Sequence, residues 1–275
     1  MVFRPYFADM DLEVKKMPEV CTLSLPGLAF LCAMVFLAGF VDAAAGGGGL
    51  IALPAYLATG MPVHFVYGCN KFSSAVGTTF STARFFKNGA LDLKVGLLAA
   101  AGSFVGSGLA SQFVLLLPEK NLKLLLLVML PIAAIVIFTQ RTKDEEDRSH
   151  LLPQGKKIAL ALAIGFFVGA YDGLLGPGTG TFAILAFCAI MGYDLRSACG
   201  NAKLLNLASN YASVVTMVLA GKILYAIAVP AAVCGIFGHI LGSGFAIKKG
   251  AKFIRPMLMV VLCLLLGDLV WETLF

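Results

Sequence analysis

The chain has 275 residues, 59% of them hydrophobic and 13% charged, with a net charge of +6 and a mean hydropathy of +0.90. Soluble domains carry about a quarter charged residues, so charges this few and this clumped cannot coat a soluble surface. The composition excludes a soluble globular protein and predicts an all-α polytopic membrane protein, and the basic excess reads as loop charge rather than a nucleic-acid surface, because no basic run is interleaved with aromatics.

A crossing helix needs roughly 20 apolar residues. A polar N-terminal segment, 1–22, precedes a first membrane repeat, 23–140. That repeat opens with Leu25–Ala45, which breaks at Gly46-Gly47-Gly48-Gly49 before a short apolar run, Leu50–Thr59. A weakly apolar stretch rich in Ser and Thr, Asn70–Phe86, leads to Val95–Leu117 and Leu122–Thr139. A charged linker, 141–157, separates the halves, and the second repeat, 158–275, begins with Ile158–Leu175. It breaks at Gly176-Pro177-Gly178-Thr179-Gly180 and continues through Thr181–Met191, Asn201–Ala220, Ile223–Ile247 and Phe253–Val270. Lys15, Lys16 and the run Ala43-Ala44-Ala45 imitate a secretory signal. The same pattern returning mid-chain predicts that this segment is retained.

The two halves are a duplication. Gly39-Phe-Val-Asp42 with Gly46 and Gly48 matches Gly169-Ala-Tyr-Asp172 with Gly176 and Gly178. Asn70-Lys71 matches Asn201-Ala-Lys203, Gly89 matches Gly221, and Gly102-x-x-x-Gly106-Ser107-Gly108 matches Gly238-x-x-x-Gly242-Ser243-Gly244. Each half carries four to five membrane segments, including a glycine-broken or re-entrant helix pair. Counting five, an odd number, the second half enters the membrane from the opposite face, which is the inverted-repeat plan of secondary transporters. Of the 21 Lys and Arg residues, Arg4, Lys15, Lys16, Lys71, Lys120, Lys123 and Lys222 fall on one side and the others on the linker side. The excess predicts a cytoplasmic linker and external termini in a multi-pass protein of the plasma membrane.

Paired breaks at equivalent depths point to a substrate site, because unpaired backbone within a membrane is tolerated where it lines a wet cavity or is buried in protein. Gly46, Gly47, Gly48, Gly176 and Gly178 are therefore candidate substrate-binding positions, with tight packing as the alternative. Asp42 and Asp172 precede the breaks inside apolar sequence. A carboxylate at that depth costs several kcal/mol, about 3 on insertion scales, unless it is paired or wet, so both are candidates for coupling to a proton or cation, with capping of the next turn as the alternative.

Lys71, Ser74, Thr78 and Ser81 share one helix face, and Lys203, Asn206, Asn210 and Ser213 repeat the spacing. Two polar stripes headed by Asn70 and Asn201 would offer ammonium, amide and hydroxyl donors to a small oxyanion. The competing reading is that lysines close to segment ends snorkel toward the interface. The two Gly-x-x-x-Gly-Ser-Gly runs predict close helix packing, either within a subunit or between two copies of a homodimer. The seven cysteines form no C-x-x-C and read as packing residues. No metal or cofactor motif is present. Ser243, four residues after His239, leaves an intramembrane hydrolase as the enzymatic alternative; a passive anion channel is the other rival.

The Asp-x-x-x-Gly-Gly-Gly-Gly opening, the Asn-Lys and Asn-x-Lys elements and the duplicated glycine-rich halves together resemble the TauE/SafE sulfite exporter family, also called TSUP or DUF81. The likeness runs from about Leu25 to the C-terminus. It implies a two-repeat permease that moves small anions, typically sulfur oxyanions or organosulfonates, with proton linkage. It also implies that Asn70, Lys71, Asn201 and Lys203 line the cavity. The resemblance does not select one anion or the direction of transport.

Overall fold

The computed structural model describes residues 23–118, 120–122, 146–174, 176–250, 252–253 and 256. The N-terminal segment, the start of the linker and nearly all of Leu122–Thr139 and Phe253–Val270 lie outside these residues. Among the described residues are eight α-helices: α1 Leu25–Ala45, α2 Gly49–Leu57, α3 Val63–Lys87, α4 Leu93–Leu116, α5 Gln154–Leu174, α6 Thr179–Ala189, α7 Leu195–Leu219 and α8 Tyr225–Lys249. Each half thus contributes a long helix, a half-length helix after the glycine break, and two further long helices.

Local sequence sets the boundaries. Ser24 caps α1 by accepting from Gly27 N, with Pro26 in the first turn, where a missing N–H costs nothing. Asp92 caps α4 through Lys94 N and Val95 N, at 3.1 and 3.2 Å. Asp194 caps α7 through Arg196 N and Ser197 N, both at 2.9 Å. α1, α4, α5 and α8 are long and apolar enough to cross a membrane. α3 and α7, at 25 residues each, are as long but carry the polar stripes. They also begin earlier than their apolar runs suggest, so Lys71 and Lys203 each sit more than two turns inside a helix rather than at a segment end.

The helices pack reciprocally. α4 lies on α5 and α7, and its counterpart α8 lies on α1 and α3. The small-residue runs make close contacts within the subunit. A Cβ on Gly102 or Gly106 would meet the carbonyls of Leu162 and Phe166 at 2.4 and 2.2 Å, and one on Gly238 or Gly242 those of Phe36 and Phe40, both at 2.1 Å. These registers ascend together, so α4 runs parallel to α5 and α8 parallel to α1. Ser103 and Ser107 donate to the carbonyls of Leu205 and Ser209, making α4 parallel to α7 as well. Gly77 against His239 and Gly244 against Arg84 make α3 parallel to α8. Thr82 donates to Lys203 O while Thr79 meets the Tyr211 hydroxyl, so α3 and α7 are antiparallel. α1, α3 and α8 therefore run one way and α4, α5 and α7 the other.

Apolar clusters around Phe85, Ile184, Phe187 and Leu205, and around Leu31, Tyr56, Val66 and Met217, fill the interior. Phe30, Leu37, Phe104, Leu109, Phe167, Phe237 and Leu241 face outward. An apolar exterior, with polar side chains such as Lys71, Ser107, Asn201 and Lys203 buried within, is the arrangement that lipid solvates.

Candidate functional site

The two glycine breaks meet. Gly46, at φ 79°, ends α1, and a Cβ on it would fall 2.4 Å from Gly180 Cα; the reverse substitution meets Gly46 Cα at the same distance. Only two residues without side chains can cross this closely. Thr181 donates to Ala45 O at 2.7 Å, satisfying one of the carbonyls that α1 exposes where it stops. Gly176 and Gly178, at φ 89° and 77°, turn the chain into α6.

Each break carries an aspartate, and each aspartate is held by the lysine of the other half. Lys203 Nζ lies 2.7 Å from Asp42 Oδ2. Lys71 Nζ lies 2.8 Å from Asp172 Oδ2 and donates to the Asp172 carbonyl at 2.6 Å. The lysines are 1% and 0% exposed, so they do not snorkel. They reach the middle of the protein because α3 and α7 deliver them from opposite sides onto the crossing. A buried charge is tolerated when a partner and hydrogen bonds compensate its lost hydration, and here the duplication supplies that partner twice.

The surroundings of the two pairs differ. The Tyr67 hydroxyl donates to the backbone carbonyls of Asp172 and Gly173, and its ring lies against the Lys71 ammonium, 5.4 Å from Nζ to the centroid. On the other side Asp42 accepts from Gly48 N at 3.4 Å, so it carries the capping contact as well as the ion pair. His239 Nε2 lies 4.0 Å from Asp42 Oδ2, and its Nδ1 is 3.2 Å from Ser81 Oγ. A small cavity opens here, lined by Asp42, Gly48, Gly49, Ser73, Ser74 and His239 among others; at about 20 Å³ it has room for one water.

The remaining candidates separate into groups. Ser74 lines the cavity, while Gly46, Gly176 and Gly178 build the crossing beside it. Gly47 is buried within the first break. Asn206 is buried and accepts from Asn210 Nδ2 at 3.2 Å. The Asn70 side-chain oxygen is buried without a hydrogen-bond partner. Asn201 is committed elsewhere: its Oδ1 accepts from Asp92 N at 3.0 Å, anchoring the turn before α4. That turn is further tied by Tyr193, whose hydroxyl donates to Asp92 Oδ2 at 2.6 Å; burial, and then this bond, raise the hydroxyl above its ordinary range.

The position equivalent to Asn201 is Cys69, whose sulfur accepts from Leu224 N at 3.3 Å. The lysines fix this register, which is offset by one residue from the Asn70–Asn201 match that the motifs suggest. Ser243 donates to the backbone carbonyls of His239 and Ile240 and does not engage the imidazole, so the suggested Ser-His dyad is not formed. Tyr67 and Thr181 complete the site and have no motif of their own, whereas Gly180 is visible as the last glycine of the second break. His239 is marked in the sequence by its place in a membrane segment and its spacing to Ser243, and neither signal points to Asp42.

Comparison with known proteins gives a consistent result. The family described as "Sulfite exporter TauE/SafE" matches residues 31–269. A "Probable membrane transporter protein" of Haemophilus influenzae is 32% identical over 89% of this chain and 95% of its own. "Probable membrane transporter protein YfcA" of Escherichia coli is 33% identical over 90% of this chain and 91% of its own. "Probable membrane transporter protein ORF9" of a Sinorhizobium species is 34% identical over 85% and 88%. No solved structure matches the chain.

Proposed function

Because the chain belongs to the sulfite exporter TauE/SafE family and is a multi-pass membrane transporter, we propose that it carries a small anion, a sulfur oxyanion or organosulfonate, through the crossing of its broken helices. The observation that carries this reading is the pair of buried lysines, each neutralised by an aspartate of the opposite half. Lys203 is the substrate-facing one. Its aspartate lines the cavity together with Ser74 and the backbone of Gly48 and Gly49, so displacement of that aspartate would bring the ammonium together with the hydroxyl and the first N–H groups of α2, donors that suit an oxyanion.

The helix directions support an inverted repeat, since α1 opposes its equivalent α5, α3 opposes α7 and α4 opposes α8. In that plan the halves rock about a central site and open it to each side in turn. A cavity that admits one water is the closed stage of such a cycle. The linker then lies in the cytoplasm, and proton movement balances the charge of the anion.

The test is thermal stabilisation of the purified protein by sulfite, thiosulfate, sulfoacetate, taurine, sulfate and short carboxylates, because a ligand stabilises the state it binds. Saturable stabilisation by the sulfur anions is expected. It should weaken by roughly ten- to a hundred-fold in affinity when Asp42→Asn and Lys203→Met are combined, the loss of one charge-assisted hydrogen bond. Equal stabilisation of parent and variant would move the site away from Lys203. Accumulation in proteoliposomes that collapses with the proton gradient separates a transporter from a passive channel.

A further inference from the structure

The bond between Lys203 and Asp42 raises a question of charge. Lys203 is fully buried and its ammonium already lies 2.7 Å from a carboxylate. An anion that binds Lys203 must take the place of Asp42, and Asp42 would then be an unpaired carboxylate inside the membrane. That state costs several kcal/mol, about 3 on insertion scales, and a carboxyl group avoids it by taking up a proton. The groups that face Asp42 decide where the proton rests. They are Lys203 and Cys199 of α7, His239 of α8, the Gly48 N–H of the break and, further off, Lys71 of α3.

Among them, His239 offers a hydrogen-bond acceptor. Ser81 Oγ lies 3.1 Å from Thr78 O and 3.2 Å from His239 Nδ1, so its one proton serves either contact according to the tautomer of the imidazole. In the tautomer with the hydroxyl turned to Thr78 O, Ser81 accepts from Nδ1–H and Nε2 presents a lone pair toward Asp42 Oδ2, 4.0 Å away. Facing an ionised carboxylate, that lone pair has nothing to accept. Facing a protonated one, it completes a hydrogen bond, either after a small approach or through the one water the cavity admits.

We propose, resting on the anion-carrier reading above, that Asp42 and His239 form the proton site of this transporter: an anion displaces Asp42 from Lys203, and Asp42 takes one proton, held by donation to His239 Nε2. The balance closes. The empty site holds one ammonium and one carboxylate. The occupied site holds one ammonium, one bound monoanion and a neutral acid. Both are neutral, so one anion moves with one proton. His239 acts through Asp42 and is a positioning residue. Gly39 and Gly77 fix its place, since a Cβ on either would fall 2.8 or 2.3 Å from the imidazole Cδ2. The first half has Ser103 in the position of His239, and Ser103 is spent on Leu205 O.

The experiment measures affinity of the purified full-length protein for methanesulfonate, which stays singly charged, across about pH 6 to pH 8, with chloride in parallel. The occupied site holds one more proton than the empty one, so affinity should fall as pH rises, by about tenfold per pH unit while the empty site is ionised and the occupied one protonated. Asp42→Asn should bind with no pH dependence. His239→Leu should weaken binding by about tenfold at neutral pH and move the profile to lower pH, and His239→Gln, whose amide oxygen accepts, should restore it. Ser81→Ala, which frees the tautomer, should shift the profile the same way by less, and it serves where His239→Leu does not fold. A pH-independent parent, or Asp42→Asn with the parental slope, overturns the proposal; so do parental profiles in His239→Leu and Ser81→Ala. Chloride binding with the expected slope but no methanesulfonate binding upholds the proton site and defeats the sulfur-substrate reading. Binding of neither anion at any pH overturns both.

Discussion

The two ion pairs are equivalents in the sequence and differ in what encloses them. Lys71–Asp172 is sealed: both side chains are 3% exposed or less, the ammonium also holds a backbone carbonyl, and Tyr67 closes over it. In Lys203–Asp42 the carboxylate is 13% exposed and shares a cavity with His239. The difference comes from substitutions at matched positions. Where the first half has Tyr67, the second has Cys199, a smaller group whose sulfur reaches Ala44 O at 3.6 Å. Where the second half has His239, the first has Ser103. Two copies of a charged clasp are present, and divergence of the neighbours leaves one fully enclosed and places a cavity beside the other.

Removing one partner from each pair tests that division most severely. Lys71→Met leaves Asp172 buried and unpaired, which costs about 3–5 kcal/mol. Lys203→Met should cost less, because Asp42 keeps the Gly48 N–H and can draw on the cavity. Unfolding in mixed detergent, followed by circular dichroism, should rank parent above Lys203→Met above Lys71→Met. Combining Lys71→Met with Asp172→Asn should recover much of the loss, since the stranded charge is gone. Equal losses in the two single variants would mean that the two pairs do the same work.

The crossing itself is the next comparison. Gly46→Ala must fit a methyl against Gly180 backbone and also adopt φ near +79°. Overpacking costs about 1–3 kcal/mol and the left-handed conformation about 1–2 more. Gly180→Ala meets the same backbone without the second penalty. Gly108→Ala, whose nearest neighbour would be Ala212 Cβ at 4.0 Å, should be within about 0.5 kcal/mol of the parent. If Gly46→Ala and Gly108→Ala melted alike, the breaks would not be in contact.

Much of the fold was legible because lipid makes hydropathy informative. Leu25–Ala45 is α1 to the residue, and the short run after each glycine break is the half-length helix. The starts of α3 and α7 were hidden by polar residues such as His64 and Arg196, although Pro62 and Asp194 are helix-start signals that mark them. Misplacing those starts is what put the lysines near segment ends and made snorkelling a rival. The residues of the site were visible as charges in apolar sequence, but their pairing was not. Lys71 finds Asp172 across 101 residues and Lys203 finds Asp42 across 161, and no local spacing encodes which half each reaches.

The smallest expected effect tests the register of the duplication itself. Asn201 and Cys69 occupy matched positions two residues before the lysines, and each accepts from the backbone N–H at the start of the opposite half's last described long helix, Asp92 N or Leu224 N. An amide oxygen is a strong acceptor and a thiol sulfur a weak one. Asn201→Ala strands a partly buried N–H and should cost about 1 kcal/mol, whereas Cys69→Ala gives up a weaker bond and should cost less than that. Cys69→Asn, which copies the second half into the first, should be close to neutral if the added amide fits, because Leu224 N exchanges a poor acceptor for a good one. Asn70→Ala removes no such bond, so it should leave the turn before α8 unaltered. Hydrogen exchange at Asp92 and Leu224 reads each contact directly: faster exchange at Asp92 in Asn201→Ala and at Leu224 in Cys69→Ala, with no change at Leu224 in Asn70→Ala. A change at Leu224 in Asn70→Ala instead would restore the register that matches Asn70 with Asn201 and would detach the two halves' lysines from equivalent positions.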